Sequence, residues 1–403
     1  KFNIPIEFEE EPVSIERESS YTINPELLFK FNVDYHLLSL HYERSNKESG
    51  LIFKDEEVIH NQSGVVGNII KKIGGNMFSG NSIMNVSLPV KIFDERSLLQ
   101  VFACEQTFAT CFLNKAFYAN SNLERIKWVF VFLITQLHLS TFQTKPFNSI
   151  LGETLQLKVG DMDLYMEHVV SKPPTYTFYG IAQNYMMSGY FSNEVTTNPN
   201  ALTAFKHGTY LITFKDGQQY ELQLPPFVVK GITVGKRIFA FKRTAMVVDR
   251  KNSLAALATI NPDKKTGLKG IFSSQVTPPD TVRGGISDYS NIVLDPKQLK
   301  HEFKKDAKLL SKIDGEWSNY IMFDQEKYWT NGDVDCSEYI KNEFTLKSDS
   351  RFRKDIEALI NKDVDLSQKL KEQYEEIQRK DRALREKADK EMKKETNLKK
   401  KKS

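Results

Sequence analysis

Three side chains near the C-terminus stand at a spacing that can do chemistry: Lys371, Glu375 and Arg379 recur every four residues. On a helix four residues advance about 40° beyond a full turn, so the three form one stripe, in which Glu375 can hold both cations. Two ordered cations beside an apolar seam make a phosphate site if the stripe faces inward, and a solvated ion-pair face if it does not. A second cluster, Lys145-Pro-Phe-Asn-Ser-Ile-Leu-Gly-Glu153, ends a helical pattern and feeds a β-run, which sets the Lys145 ammonium and the Asn148 amide together at one rim of a sheet. Covalent chemistry has no comparable support. There is no C-x-x-C, H-E-x-x-H or G-x-S-x-G, and the seven histidines are scattered. Gly231-Ile-Thr-Val-Gly235-Lys236 is one spacer short of a phosphate loop and reads as a strand turn. The residues point to a binding protein and not an enzyme, with no metal and no cofactor.

The elements that must position these groups follow from periodicity. Residues 27–42 alternate as strands do, and with the polar turn at Glu43–Gly50 they read as the end of an upstream β-module within an otherwise unassigned segment 1–60. From Gly64 the pattern is a short amphipathic helix closed by Gly74-Gly75, with Ile69, Ile70, Ile73 and Met77 on one face and Lys71 and Lys72 opposite. Two long helices are expected over Ser97–Tyr118 and Leu123–Thr141, the second apolar nearly all round and therefore buried. From 150 to 346 the chain reads as many antiparallel strands joined by hairpins, Asp216-Gly217 being the clearest turn. Such a run argues a barrel or sandwich instead of βαβ units. Helix returns over 355–394 with Leu366, Leu370, Tyr374, Ile377 and Leu384 as a narrow seam, and 395–403 is a basic tail.

Composition narrows the function. The chain of 403 residues is 40% apolar and 11% aromatic, which supplies a core and excludes wholesale disorder. Its longest apolar stretch, Trp128–Leu139, is too short to span a bilayer, so a soluble protein is expected. Three cysteines make no disulfide framework and suggest a reducing, cytoplasmic setting. The net charge of +4 is uneven: residues 351–403 hold 18 Lys and Arg against 12 Asp and Glu. That basic end suits an anionic membrane surface. It lacks aromatics for stacking on bases, so nucleic acid is not an expected partner.

Four stretches in order then carry a resemblance. The run 145–154 resembles the K-P-F-N-P-I-L-G-E-T motif of the oxysterol-binding protein-related lipid-transfer family, with Ser149 in place of the proline. Glu167-His-Val-Val-Ser-Lys-Pro-Pro174 is similar to the family's E-Q-V-S-H-H-P-P, Gly315-Glu-Trp-Ser318 to its G-x-W-S, and Asp349-Ser-Arg-Phe-Arg353 to its D-S-R-x-R-P-D. Lys371, Glu375 and Arg379 fall on its K-x-x-x-E-x-x-x-R helix. The resemblance covers 64–394. It implies a β-rich α+β fold: a large, nearly closed antiparallel β-barrel around a lipid tunnel, with a helical N-terminal lid (65–87), N-terminal helices and a C-terminal helical region.

The resemblance also implies a headgroup site. Lys145, Asn148, Lys371 and Arg379 would bind a phosphoinositide head, with Glu375 as orienter. Where the family has two histidines this chain has Ser171 and Lys172, and His168 lies earlier, replacing a glutamine. A residue displaced by three along a strand points to the other face, so His168 is not expected to replace Ser171, whereas Lys172 still brings a full charge. The implied function is extraction of a sterol or glycerophospholipid from one membrane and delivery to another, exchanged against phosphatidylinositol 4-phosphate in the fullest version. The implied place is the cytoplasm, peripherally on organelle membranes or contact sites. A lipid sensor or tether, whose occupancy regulates partner recruitment, requires the same pocket.

Overall fold

The structure, a computed structural model, describes residues 42–44, 50–60, 62, 65, 87–139, 144–198, 200–261, 280–297, 299–333, 339–341 and 346–402. The strands expected over 27–41 and the lid residues Ile69, Ile70, Ile73 and Met77 lie outside the described residues.

Ser97 opens the helical layer. Its Oγ accepts from the Gln100 backbone N–H while the Gln100 side chain accepts from the Ser97 N–H, a reciprocal cap that starts helix α1 (Leu98–Glu105). The expected single helix to Tyr118 is broken at 106–108, where the Thr107 hydroxyl donates to the Cys104 carbonyl and offers the backbone an alternative to the next turn. The chain restarts as α2 (Ala109–Phe117) and continues as α3 (Asn122–Leu139). Ile126, Val129, Phe130, Leu133 and Leu137 of α3 are all buried, as its lack of a polar face requires.

The strands run in chain order as β1 (Tyr42–Arg44), β2 (Leu51–Phe53), β3 (Phe93–Ser97), β4 (Lys145–Phe147), β5 (Thr154–Val159), β6 (Met162–Ser171), β7 (Pro174–Ile181), β8 (Tyr185–Asn198) and β9 (Ala201–Phe214). They continue as β10 (Gln219–Gln223), β11 (Phe227–Lys230), β12 (Ile238–Phe241), β13 (Arg243–Asp249), β14 (Leu254–Ile260) and β15 (Thr281–Asp288). The last are β16 (Ile292–Val293), β17 (Glu302–Phe303), β18 (Ser311–Glu316), β19 (Tyr320–Phe323), β20 (Glu326–Thr330) and β21 (Tyr339–Lys341). Among the described residues, all but β3–β4 and β16–β17 belong to one antiparallel sheet. Strands β5 to β9 form a meander, with β21 on the outer edge of β5. Strand β9 then forks. Its second half pairs with β10, and the ladder passes on through β13, β14, β15, β18, β19 and β20. Its first half pairs with β11, which leads through β12 to β2 and β1. Segment 51–53 is therefore hydrogen-bonded into the large sheet.

Alternate residues of these strands, among them Leu155, Leu157, Leu164, Met166, Phe178, Ile212 and Phe214, join the buried faces of α1–α3 in one core. The sheet thus wraps the helices. It does not close among the described residues, since β20 pairs with β19 and β21 with β5, and no ladder joins β20 to β21. The C-terminal region is α4 (Lys354–Ile360), a break at 361–363 where Lys362 has φ +64°, and α5 (Val364–Lys402).

Candidate functional site

The site is built where β4 meets the start of α5. The loop after β4 is locked from below by charge. Arg353 is buried and forms ion pairs with Glu153 at 2.6 Å and Asp355 at 2.5 Å, and its guanidinium also donates to the Asn148 carbonyl at 3.1 Å. Burial alone would lower the Arg353 pKa, but the two carboxylates hold it above the ordinary arginine value. Glu153 further accepts from the Ile150 N–H at 2.8 Å and the Ser350 hydroxyl at 2.6 Å. Asp349 accepts from the Gln156 N–H and from Arg351, all at 3.0 Å. The carboxylates and guanidinium of 349–355 therefore fasten the 145–154 loop to the C-terminal region. The sequence showed these residues as a motif without showing that work; the clue was the density of charge in a segment lying between buried elements.

Above this lock lie two ammonium groups. Lys145 Nζ donates to Asn148 Oδ1 at 2.7 Å and stands 4.6 Å from the centre of the Phe93 ring. Lys371 Nζ stands 5.5 Å from the same ring, donates to Ser87 Oγ at 2.9 Å and pairs with Glu375 at 2.5 Å. Lys371 is only 5% exposed, an unusual place for a lysine that its three contacts account for. Burial pulls the half-buried Lys145 down to about 7, with the Lys371 charge acting in the same direction and Glu375 opposing. Two cations share one carboxylate here, which leaves a local excess of positive charge beside the exposed Asn148 amide. Ser87 and Phe93 are site residues that sequence reasoning missed; neither type carries a signal outside its contacts.

Arg379 is not part of this cluster. It is exposed and pairs with Glu376 at 3.2 Å, so Glu375 orients Lys371 alone. The helix is rotated in part from the expected seam, of which Leu370 and Tyr374 are half-buried. Ser367 and Lys371 are buried, while Leu366, Ile377 and Leu384 are 40%, 38% and 66% exposed. Polar bonds fix that rotation: Ser367 Oγ donates to the Asp355 carbonyl at 2.7 Å, and Gln368 Oε1 accepts from the Val90 N–H at 2.9 Å.

Lys145 and Asn148 also rim an apolar cavity of about 240 Å³, whose wall includes Leu98, Phe102, Tyr176, Phe191 and Phe227. Strand β6 pairs with β7, whose Pro174 and Tyr176 line the cavity, in an unexpected register. His168 pairs with Tyr176 and Ser171 with Pro174, but the ladder shifts by one residue between His168 and Val170. That bulge cancels the parity expected of a regular strand, so His168 and Ser171 point to the same side, with Tyr176 and Pro174 of the cavity wall. His168 is buried and stacks on Tyr176 at 4.6 Å, and burial lowers its pKa, which keeps the ring neutral at pH 7. Lys172 follows in the exposed turn. The structure thus brings together Lys145, Asn148, Lys371 and Glu375, sets Ser171 on the cavity side of β6, and leaves Arg379 outside.

A family model described as oxysterol-binding protein matches residues 70–402. Oxysterol-binding protein 9 of Dictyostelium discoideum is 29% identical over 339 residues, 83% of this chain and 79% of that protein. Oxysterol-binding protein homolog 3 of Saccharomyces cerevisiae is 23% identical over 74% of this chain and 30% of its own length. The crystal structure of the Osh3 ORD from Saccharomyces cerevisiae in complex with PI(4)P has a TM-score of 0.62 at 20% identity, covering 86% of this chain and 89% of that one. The Osh1 ORD domain in complex with ergosterol gives 0.58 at 16% identity over 82% and 89%. With a matching family model over most of its length and the same large antiparallel sheet, the chain belongs to the oxysterol-binding protein family.

Proposed function

We propose that this chain binds one membrane lipid and carries it between membranes without catalysing a reaction. The observation that carries the reading is an apolar cavity rimmed by Lys145 and Asn148, beside a second buried ammonium, Lys371. An apolar wall suits hydrocarbon, at roughly 0.8 kcal/mol per buried methylene, and two ammonium groups sharing one carboxylate at and beside its mouth suit a phosphate. Relatives solved with PI(4)P and with ergosterol support a phosphoinositide and a sterol as the two cargo classes to test. Lys145, Asn148 and Lys371 hold the head, Glu375 orients Lys371, and Ser171 and Lys172 approach it from the β6–β7 hairpin. Arg379 takes part only by moving with bound lipid. Residues 65–87, with Ile69, Ile70, Ile73 and Met77, form the lid, and the curled sheet is the tunnel wall.

The test is extraction by the purified chain from liposomes offering sterol, phosphatidylserine and phosphatidylinositol 4-phosphate. Uptake of at least one is expected; uptake of none sinks the reading. Running the assay from neutral and from anionic vesicles reads whether the Lys-rich end of α5 aids docking.

A further inference from the structure

Strand β9 is hydrogen-bonded to β8 along its whole length, but its other edge is divided. Leu211–Thr213 pair with β10 and Ala201–Ala204 with β11, so residues 205–210 have no ladder on that side among the described residues. The sequence explains the gap. The chain leaving β10 reads Leu224-Pro225-Pro226 before β11 begins, and consecutive prolines have no N–H with which to bridge to β9. Gly208 sits in the open stretch at φ +150°, where a Cβ would come within 2.0 Å of the Tyr190 carbonyl oxygen.

A cavity of about 330 Å³ occupies this break. Part of its lining, Phe102, Phe178, Phe191, Tyr210 and Leu222, belongs to the main core. Met246 and Val248 belong instead to a small separate core with Ile292. The register shows that these are opposite faces: Leu222 pairs with Val247, while its neighbours Glu221 and Gln223 pair with Val248 and Met246. A cavity lined from both faces passes through the sheet. It also shares Phe102, Phe191, Lys206 and Leu224 with the cavity rimmed by Lys145. At that junction Lys206 Nζ bonds both Glu105 oxygens at 2.7 Å and lies 5.6 Å and 5.7 Å from the Phe102 and Phe191 ring centres. The charge at the junction is thus paired.

Given the lipid-binding reading above, on which this rests, we propose that the fork of β9 is a lateral portal through the sheet that takes the methyl end of an acyl chain of the bound lipid. A lipid whose phosphate sits at Lys145 and Asn148 threads its chain past Phe102 and Phe191 and leaves between Gly208 and Leu222. The polar outer rim, with Glu221, Gln223 and Thr209, meets only the chain's last carbons.

Thr209→Trp puts an indole on the exposed outer rim, where it does not disturb the core. The variant is loaded from phosphatidylcholine vesicles containing phosphatidylinositol 4-phosphate brominated either near the methyl end or near the carboxyl end of its chains, and bound lipid is quantified in each sample. Quenching beyond wild type by the terminal bromines alone is expected. Equal occupancy without that quenching overturns the portal while leaving lipid binding intact; no bound lipid overturns both. Leu224→Trp fills the junction and should cut extraction of dipalmitoyl lipid severalfold relative to dioctanoyl lipid. Equal effects on the two lengths count against the portal.

Discussion

At the residue scale, Lys145 sets the pH dependence expected of the site. Its free ammonium titrates at about 7, so near neutrality the empty site is partly uncharged. A bound phosphate favours the charged form and raises that value, so binding takes up a proton. Extraction of phosphatidylinositol 4-phosphate is expected to strengthen as pH falls through 7 and to weaken above it, with sterol extraction flat; Lys145→Met should abolish the slope. A phosphoinositide profile that stays flat in wild type would contradict this assignment. Arg353 belongs to a different category. Replacing it by Met leaves Glu153 and Asp355 buried without a counter-charge, and a loss of roughly 3–5 kcal/mol in denaturant unfolding is expected. A loss under about 1 kcal/mol would mean that the carboxylates find other partners or take up protons. Lys145, Asn148 and Lys371 were legible in the sequence because a motif placed them. Phe93 and Ser87 were not, because a ring or a hydroxyl becomes part of a cation site only through contacts made across hundreds of residues.

At the scale of elements, two local rules were overridden by tertiary bonds. Spacing alone made Leu366, Leu370, Tyr374, Ile377 and Leu384 the inner seam of α5; Leu370 and Tyr374 are half-buried, but the helix docks through Ser367, Gln368 and Lys371 and leaves the other three exposed. Leu384→Ser should therefore leave thermal stability unchanged, whereas Ser367→Leu, which removes the bond to Asp355 and crowds a closed site, should lower it clearly. The opposite ranking would restore the seam. In the same way strict alternation put His168 and Ser171 on opposite faces of β6, and one bulge residue reversed that. Bulges have no dependable sequence signal, since any residue can occupy one. The split of α1 from α2 was hidden for a similar reason: Thr107 is neutral in a helix until its hydroxyl finds the Cys104 carbonyl.

At the scale of the whole molecule, the antiparallel β-rich class and the buried N-terminal helices were readable from alternation and from the apolar circumference of α3. The fork of β9 was not, although Pro225 and Pro226 mark it, because the strand they fail to join lies about twenty residues away in sequence. The proposed lipid handling belongs to this scale: the sheet supplies an apolar wall, β4 supplies Lys145 to its rim, α5 sets Lys371 beside Lys145, and the Glu153–Arg353–Asp355 network fixes the β4 loop against the C-terminal region. The most direct test compares wild type with Lys371→Ala in extraction of sterol and of phosphatidylinositol 4-phosphate from the same liposomes. Loss of phosphoinositide uptake with sterol uptake retained is the expected result. Phosphoinositide uptake unchanged by the substitution would contradict the assignment of this rim to the lipid head.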